Sequence, residues 1–400
     1  MAPEMRDAAI SLRLSVDGWS PDADHSAMGS TDGAIDHGEV FDASRVTRHK
    51  RIEPCVLDGV LRGLENHCAP MMDVHAYLTE DLTTNAFCFE RDGIGYIGLA
   101  QGLFGVYSTF FKLAMSLPDV LTHVGEPTRE DGSRAIGQPT VSFEDNVYQQ
   151  ALDDKVRPTD KDRFDRTRWL TDLAVGFVAF HEAGHLLNGH CALAATLGIA
   201  GIDELRNDGG LSDLSRQTLE IDADAYSISV SLRALLRSLA SELEGDTTEE
   251  TLTKQLRPLL VELAFTLGSI FHLWYGDGTR LINWRDCYKH PPPHVRQFLT
   301  IRICAAGIFR WTKAIFQNVN LDEHSLTTMA IAALAEGTRD AEIAHARMSG
   351  NVPNFAPIAD GVAQTEQILR PFTDEWRRLH GALLPLARGR LVDPQPLAPP

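Results

Sequence analysis

Two histidines separated by three residues, His181 and His185, enclose an acid, Glu182, that directly follows the first of them. On an α-helix, residues four apart lie on the same face, so both imidazoles can bind one metal ion. Glu182 then lies beside them, where it can take a proton from a water molecule that the metal activates. The flanking residues are apolar and predict a buried helix, in which unpaired polar groups are costly. The motif therefore predicts one Zn²⁺ per chain, with Glu182 as the general base.

A catalytic zinc site needs a third protein ligand. The next strongly apolar helical stretch carries Glu220 and Asp224, which are four residues apart and share a face. We expect Glu220 to bind the metal and Asp224 to accept a hydrogen bond from a ligand histidine, which fixes the orientation of that ring. The alternative for these acids is a solvated surface, but Ile221 and Ala223 between them favour a partly buried helix.

His190 follows the motif but does not fit the metzincin arrangement. Metzincins place a glycine three residues after the second histidine and the third ligand six residues after it. Those two positions hold Asn188 and Cys191 here, so the spacing argues against that class. We expect His190 to support the site from outside the ligand set or to lie at the surface.

With these motifs in place, the chain resembles the gluzincin metallopeptidases, the family of the CAAX prenyl proteases and the bacterial heat-shock membrane protease. Four elements stand in the order of that family and span residues 85–296. They are HExxH at His181, ExxAD at Glu220, Asn85-Ala86-Phe87 followed by the strand around Tyr96 and Gly98, and His290-Pro291 with Arg296 six residues after the histidine.

The resemblance implies a zinc-dependent endopeptidase with a zincin-like fold. It implies a substrate strand, along which an extended peptide can pair, and this strand comprises Asn85, Ala86, Phe87, Tyr96 and Gly98. It also implies that His290 stabilises the oxyanion of the transition state and that Arg296 braces the site. The chain departs from the family in the long segment before HExxH and in Asp222, where Glu or Gln is usual.

Two alternatives remain open. The first is a highly restricted regulatory or phage-defence protease acting on one protein, because small soluble gluzincins that cleave repressors also carry HExxH followed by ExxAD. The second is a non-catalytic regulatory module stabilised by zinc. The presence of Glu182 favours an enzyme, since a purely structural zinc site is closed by a fourth protein ligand and needs no base.

The elements that must position these residues are mainly helical. The pattern predicts an α+β fold that is mostly α, with a small sheet from strands at 87–90 and 96–100 and one apolar helix over 169–197. Along the chain we distinguish a mobile leader (1–45), a metallopeptidase domain (46–312) with a loop-rich insert at about 118–165, a helical C-terminal extension (313–387) and a loose tail (388–400).

The composition limits the classes of partner and the cellular location that we expect. The 400 residues carry a formal net charge of −18, which argues against affinity for nucleic acid and leaves a protein or peptide as the expected substrate. Six cysteines without CxxC spacing are typical of free thiols in a reducing compartment, so a cytoplasmic location is expected. The apolar stretches 94–111 and 256–275 are expected to be core elements, so no stable membrane span is predicted. The pattern leaves the oligomeric state open.

Overall fold

The computed structural model describes residues 54–79, 85–133, 157–198, 202–203, 211–243, 247–275, 290–350, 353, 356–389 and 391. The predicted leader, residues 134–156 of the predicted insert and residues 390 and 392–400 of the tail lie outside this part of the chain. The described residues are mostly helical with a small sheet, so the predicted fold class is confirmed at that level.

The elements follow one another in mixed order. The strands are β1 (Val74–Thr79), β2 (Ala86–Arg91), β3 (Ile94–Ala100) and β4 (Ile202–Asp203). The helices are α1 (Pro54–Cys68), α2 (Gln101–Met115), α3 (Lys161–Leu187), α4 (His190–Thr196), α5 (Asp213–Glu242), α6 (Glu249–Tyr275), α7 (Pro293–Ile315), α8 (Glu323–Ser349) and α9 (Ala356–Leu383).

The sheet has the strand order β1-β3-β2-β4. Strands β2 and β3, which contain the strands predicted at 87–90 and 96–100, form a hairpin whose turn places Asp92 and Gly93 at φ 54° and 80°. Positive φ at both central residues is typical of a type I′ turn, whose twist matches that of the flanking strands. Strand β1, which the sequence pattern did not predict, pairs in parallel with the other edge of β3.

This strand order bears on the expected substrate strand. Tyr96 and Gly98 lie in β3, which pairs with β1 on one side and with β2 on the other. Both edges of β3 are therefore occupied, and the backbone of these two residues cannot pair with an extended peptide. The pairing that the resemblance implied for Tyr96 and Gly98 is thus wrong. Asn85 precedes β2, and the second edge of β2 pairs with β4 at Phe87 and Cys88.

The predicted helix over 169–197 is wrong as a single element, because Gly189 separates α3 from α4. Gly189 has a φ of 83°, and a Cβ added there would lie 2.9 Å from the backbone nitrogen of Ala387. The backbone N–H groups of Arg388 and Gly389 donate to the carbonyl oxygen of Leu187, at 2.7 and 2.9 Å. The first residues of the predicted tail thus cap the end of α3.

A buried arginine organises the start of the predicted insert. Arg163, on α3, is fully buried and donates five hydrogen bonds to backbone carbonyls. The acceptors are Met115, Leu117, Val120, Leu121 and Val124, at 2.8–3.2 Å. On the other side of this turn, the backbone N–H of Leu121 donates to Asp340 of α8. Residues 115–124 are therefore held between two helices by polar contacts.

Helix α6 lies in the core, as expected for the apolar stretch 256–275. It packs against α8, α7 and α3. In the part of the chain that the structure describes, it is the one helix whose length and composition would suit a membrane span, and 78% of its apolar window is buried inside the protein.

Candidate metal centre

The two motif histidines and Glu220 converge at one point. The Nε2 atoms of His181 and His185 are 3.0 Å apart. One Glu220 oxygen lies 3.3 Å from the Nε2 of His181, and the other lies 3.4 Å from the Nε2 of His185. All three side chains are buried, so two imidazoles and a carboxylate meet without bulk water between them.

These distances fit a metal ion between the three groups. Zn–N and Zn–O bonds of about 2.0–2.1 Å in tetrahedral geometry separate neighbouring ligand atoms by about 3.3 Å. The three observed separations of 3.0–3.4 Å match that edge length. The group His181, His185 and Glu220 could therefore hold a metal ion, as the spacing predicted.

Close packing of α3 on α5 brings the ligands together. Gly184 stands between the two histidines in the HExxH turn, and a Cβ added there would lie 3.1 Å from the Cα of Ala223. One turn earlier on α3, the carbonyl oxygen of Phe177 accepts a hydrogen bond from Ser227 of α5, at 2.6 Å. A larger side chain at position 184 would separate the two helices and move Glu220 away from the histidines.

Asp224 holds His181 in place, as expected. Its Oδ1 lies 3.0 Å from the Nδ1 of His181, which leaves Nε2 directed at Glu220. Arg296 donates two hydrogen bonds to the same carboxylate, at 2.7 and 2.6 Å. The guanidinium also lies over the rings of Phe271 and Trp274, 4.3 and 4.7 Å from their centroids. Arg296, which the resemblance implied would brace the site, thus contacts it through Asp224.

The charges of the site compensate one another. Burial alone would raise the pKa of Asp224, but Arg296 and His181 outweigh it and hold that pKa below its usual value. Burial likewise acts to raise the pKa of Glu220, but the charges of His290 and His185 lower it well below its usual value. Burial would lower the pKa of His181, and hydrogen bonds to Asp224 and Glu220 instead hold it well above the usual value. For His185, burial prevails and the pKa is lowered. Both acids therefore stay negatively charged, which suits a cation site.

His290 reaches the same group from a third segment of the chain. Its Nδ1 lies 3.1 Å from a Glu220 oxygen, and its ring lies 5.8 Å from that of Trp274. The residue is located just before α7, whose first helical residue is Pro293. The structure thus brings the His290-Pro291 element to the candidate metal centre, where the histidine touches the Glu220 carboxylate.

Glu182 is buried on α3, directly after His181. The Sγ of Cys88, on β2, lies 3.5 Å from the Sγ of Cys191. Burial is the largest effect raising the pKa of Cys88 well above its usual value, with Cys191 and Glu182 adding to it. Among the described residues, Cys68, Cys88, Cys191 and Cys304 are free, buried thiols, as the sequence predicted for these four.

The sequence pattern left the place of His190 open. Its Nδ1 lies 2.9 Å from the Nδ1 of His185, and its Nε2 lies 3.2 Å from Asp222. Asn188 donates to the same Asp222 oxygen, at 2.6 Å. A signal was present, because a polar His-Asn pair directly after the motif and an acid between Glu220 and Asp224 are unusual in buried helices. The helix break that brings them together was not predicted.

Comparisons with models of protein families, with curated proteins and with solved structures found no match to this chain. The function is therefore argued from the geometry of the site.

Proposed function

We propose that this protein is a zinc-dependent endopeptidase of the gluzincin type. The observation that carries the proposal is the convergence of the His181 and His185 Nε2 atoms with the Glu220 carboxylate, directly beside the buried Glu182. Two imidazoles and one carboxylate are the ligand set of well-known zinc peptidases, which keep the fourth position open. A zinc ion bound there would act as a Lewis acid and would lower the pKa of a water molecule.

The chain's own residues supply the remaining chemistry. Glu182 accepts a proton from the attacking water and passes it to the leaving nitrogen of the substrate. His290, beside Glu220, donates a hydrogen bond to the negative charge that develops on the substrate carbonyl oxygen. Arg296 keeps Asp224 ionised and in place, and Asp224 orients His181.

The donor set favours catalysis over a purely structural role. Within the described residues, the group suited to a metal contains three side chains, whereas a structural zinc site is normally closed by four. A restricted protease that cleaves a single regulatory or phage protein would use the same site. It would differ from a general endopeptidase only in the range of its substrates. The acidic net charge of −18 supports a protein or peptide substrate over a nucleic acid, and a cytoplasmic location stays part of the proposal.

The first experiment measures metal content. Purified wild-type protein should contain one zinc per chain, and His185→Ala should contain far less, because it lacks one of three ligands. Glu182→Gln should retain zinc, since its side chain is not a ligand. Full zinc occupancy in His185→Ala would show that the metal, if present, is bound elsewhere.

The second experiment tests turnover. Denatured casein and the protein itself serve as substrates, with and without a chelator, and Glu182→Gln is the matched inactive variant, because an amide cannot accept the proton. Chelator-sensitive cleavage that Glu182→Gln lacks supports an endopeptidase. If casein is not cleaved, crosslinking of partners to Glu182→Gln in cells identifies a restricted substrate. Absence of a cleaved partner would leave the non-catalytic zinc module as the function.

A further inference from the structure

A second pair of side chains extends the metal centre away from Glu220. His190 is completely buried and touches the Nδ1 edge of His185, which is the edge opposite the metal-facing Nε2. Asp222 lies behind His190, with its Oδ2 3.2 Å from the Nε2 of that ring. The three groups therefore form a line from the metal position through two imidazoles to a carboxylate.

This line exists only because the helix is broken. At about 100° per residue, side chains five apart in a continuous helix are about 140° apart around the axis and do not face each other. Gly189, in the left-handed region at φ 83°, redirects the chain so that His190 turns back onto His185. The residues around Ala387 pack against Gly189 and hold this break.

The contacts along this line indicate where each proton resides. If the Nε2 of His185 offers its lone pair to a metal, the proton of its neutral ring is on Nδ1. That proton can be donated only to an unprotonated Nδ1 of His190, 2.9 Å away. The proton of His190 is then on Nε2, which lies 3.2 Å from the Oδ2 of Asp222, within ion-pair distance but outside hydrogen-bonding geometry. One consistent arrangement thus has His185 donating to His190, with the protonated Nε2 of His190 on the side of the Asp222 charge.

We propose that His190 and Asp222 are positioning residues that fix the tautomer and ring orientation of His185 for metal binding. Each ligand histidine is then oriented by an acid of α5, His181 directly by Asp224 and His185 indirectly by Asp222 through His190. Asn188 completes the arrangement by donating to Asp222, which keeps that carboxylate turned towards His190. This inference rests on the metal site of the proposed function but not on turnover.

The test measures the affinity of the purified apoprotein for Zn²⁺ alone, by competition with a chromophoric chelator. His190→Phe keeps the ring shape but removes the acceptor, and it should weaken Zn²⁺ binding about 10- to 100-fold, as the loss of such an outer partner does. His190→Asn places an amide oxygen near the former Nδ1 and should recover most of the loss. His345→Phe is the matched control, because His345 is also buried but lies on α8 against His272, and it should bind Zn²⁺ like the wild type.

Asp222→Ala is the second variant, and it should weaken Zn²⁺ binding by a smaller factor than His190→Phe. The wild type supplies a further readout that needs no substitution. In the ¹⁵N-histidine-labelled, Zn²⁺-loaded protein, His190 should carry its proton on Nε2 and none on Nδ1.

Unchanged Zn²⁺ affinity in His190→Phe, or no recovery in His190→Asn, would overturn the positioning role of His190 and Asp222 while leaving the metal site intact. A proton on the Nδ1 of His190 would overturn it as well. Absence of Zn²⁺ affinity in the wild type would overturn the proposed function, and the positioning role of His190 and Asp222 with it.

Discussion

Arg296 and Asp224 form a two-bond ion pair beneath the metal centre, with both side chains almost fully buried. The pair joins α7 to α5. Asp224 is also hydrogen-bonded to His181, so the position of Asp224 determines the orientation of that imidazole. The stability of the fold and the geometry of the site thus depend on one carboxylate.

Removing the arginine should destabilise the protein strongly. Arg296→Ala leaves the Asp224 charge buried beside only a histidine, and breaking such a pair costs about 3–5 kcal/mol of unfolding free energy. Arg296→Lys should recover only part of this, because one ammonium group cannot replace the two parallel hydrogen bonds. Urea unfolding measures the effect. Arg310→Ala, at an exposed position on the same helix, is the control and should change stability by less than about 1 kcal/mol. Equal unfolding midpoints for Arg296→Ala and wild type would contradict the role of the pair.

His290→Ala separates two roles for that histidine. If His290 donates to the oxyanion, kcat should fall about 100-fold while KM changes little and the zinc content stays at one per chain. If His290 mainly holds Glu220, which it contacts at 3.1 Å, zinc affinity should fall together with activity. Steady-state kinetics and metal analysis of the same preparation distinguish these outcomes. A variant with wild-type kcat would exclude the oxyanion role.

Arg163 should be among the most sensitive positions outside the metal centre. Arg163→Met removes the donors for five backbone carbonyls and should cost more than about 4 kcal/mol of unfolding free energy. Arg163→Lys should be only slightly better, since an ammonium has three donors and a different shape. Lys161→Met, two residues earlier and exposed, serves as the control and should lie within about 0.5 kcal/mol of wild type. Thermal and urea unfolding report the difference, and similar losses in both methionine variants would refute the assignment.

Asp340 predicts a specific pH dependence. Burial, followed by the charge of Glu336, raises its pKa from 3.8 to about 6. The folded state therefore binds this proton more tightly than the unfolded state, and the resulting stability is complete below pH about 4 and is lost as pH rises through about 6. The shift corresponds to about 3 kcal/mol before screening, and we expect about half of that.

Asp340→Asn cannot ionise, and its amide oxygen can still accept from Leu121. Relative to wild type, this variant should therefore gain about 1–2 kcal/mol of unfolding free energy between pH 4 and pH 7. Urea unfolding at several pH values gives the difference directly. Parallel stability curves for the two proteins would show that Asp340 does not titrate in this range.

Local spacing predicted the helix that carries the two candidate metal-binding histidines. The i, i+4 histidine pair, the acid beside it and the acids four apart on the next apolar helix follow from helical periodicity, and the structure places each where that periodicity requires. The two strands at 87–90 and 96–100 were likewise predicted from the sequence, and they form the hairpin of β2 and β3. These features depend on neighbours within a few residues, so the chain itself carries the information.

Tertiary packing decided the rest. No local pattern shows that β1 pairs in parallel with β3, because this pairing joins segments about 20 residues apart in the sequence. As a result of the pairing, Tyr96 and Gly98 lie in a strand with a neighbour on each side. The helix break at Gly189 depends on Arg388 and Gly389, which cap Leu187 from just over 200 positions further along the chain. His190 lies beside His185, and Asp222 beside His190, because α3, α4, α5 and residues 387–389 pack together, and each polar group needs a partner in the same buried space.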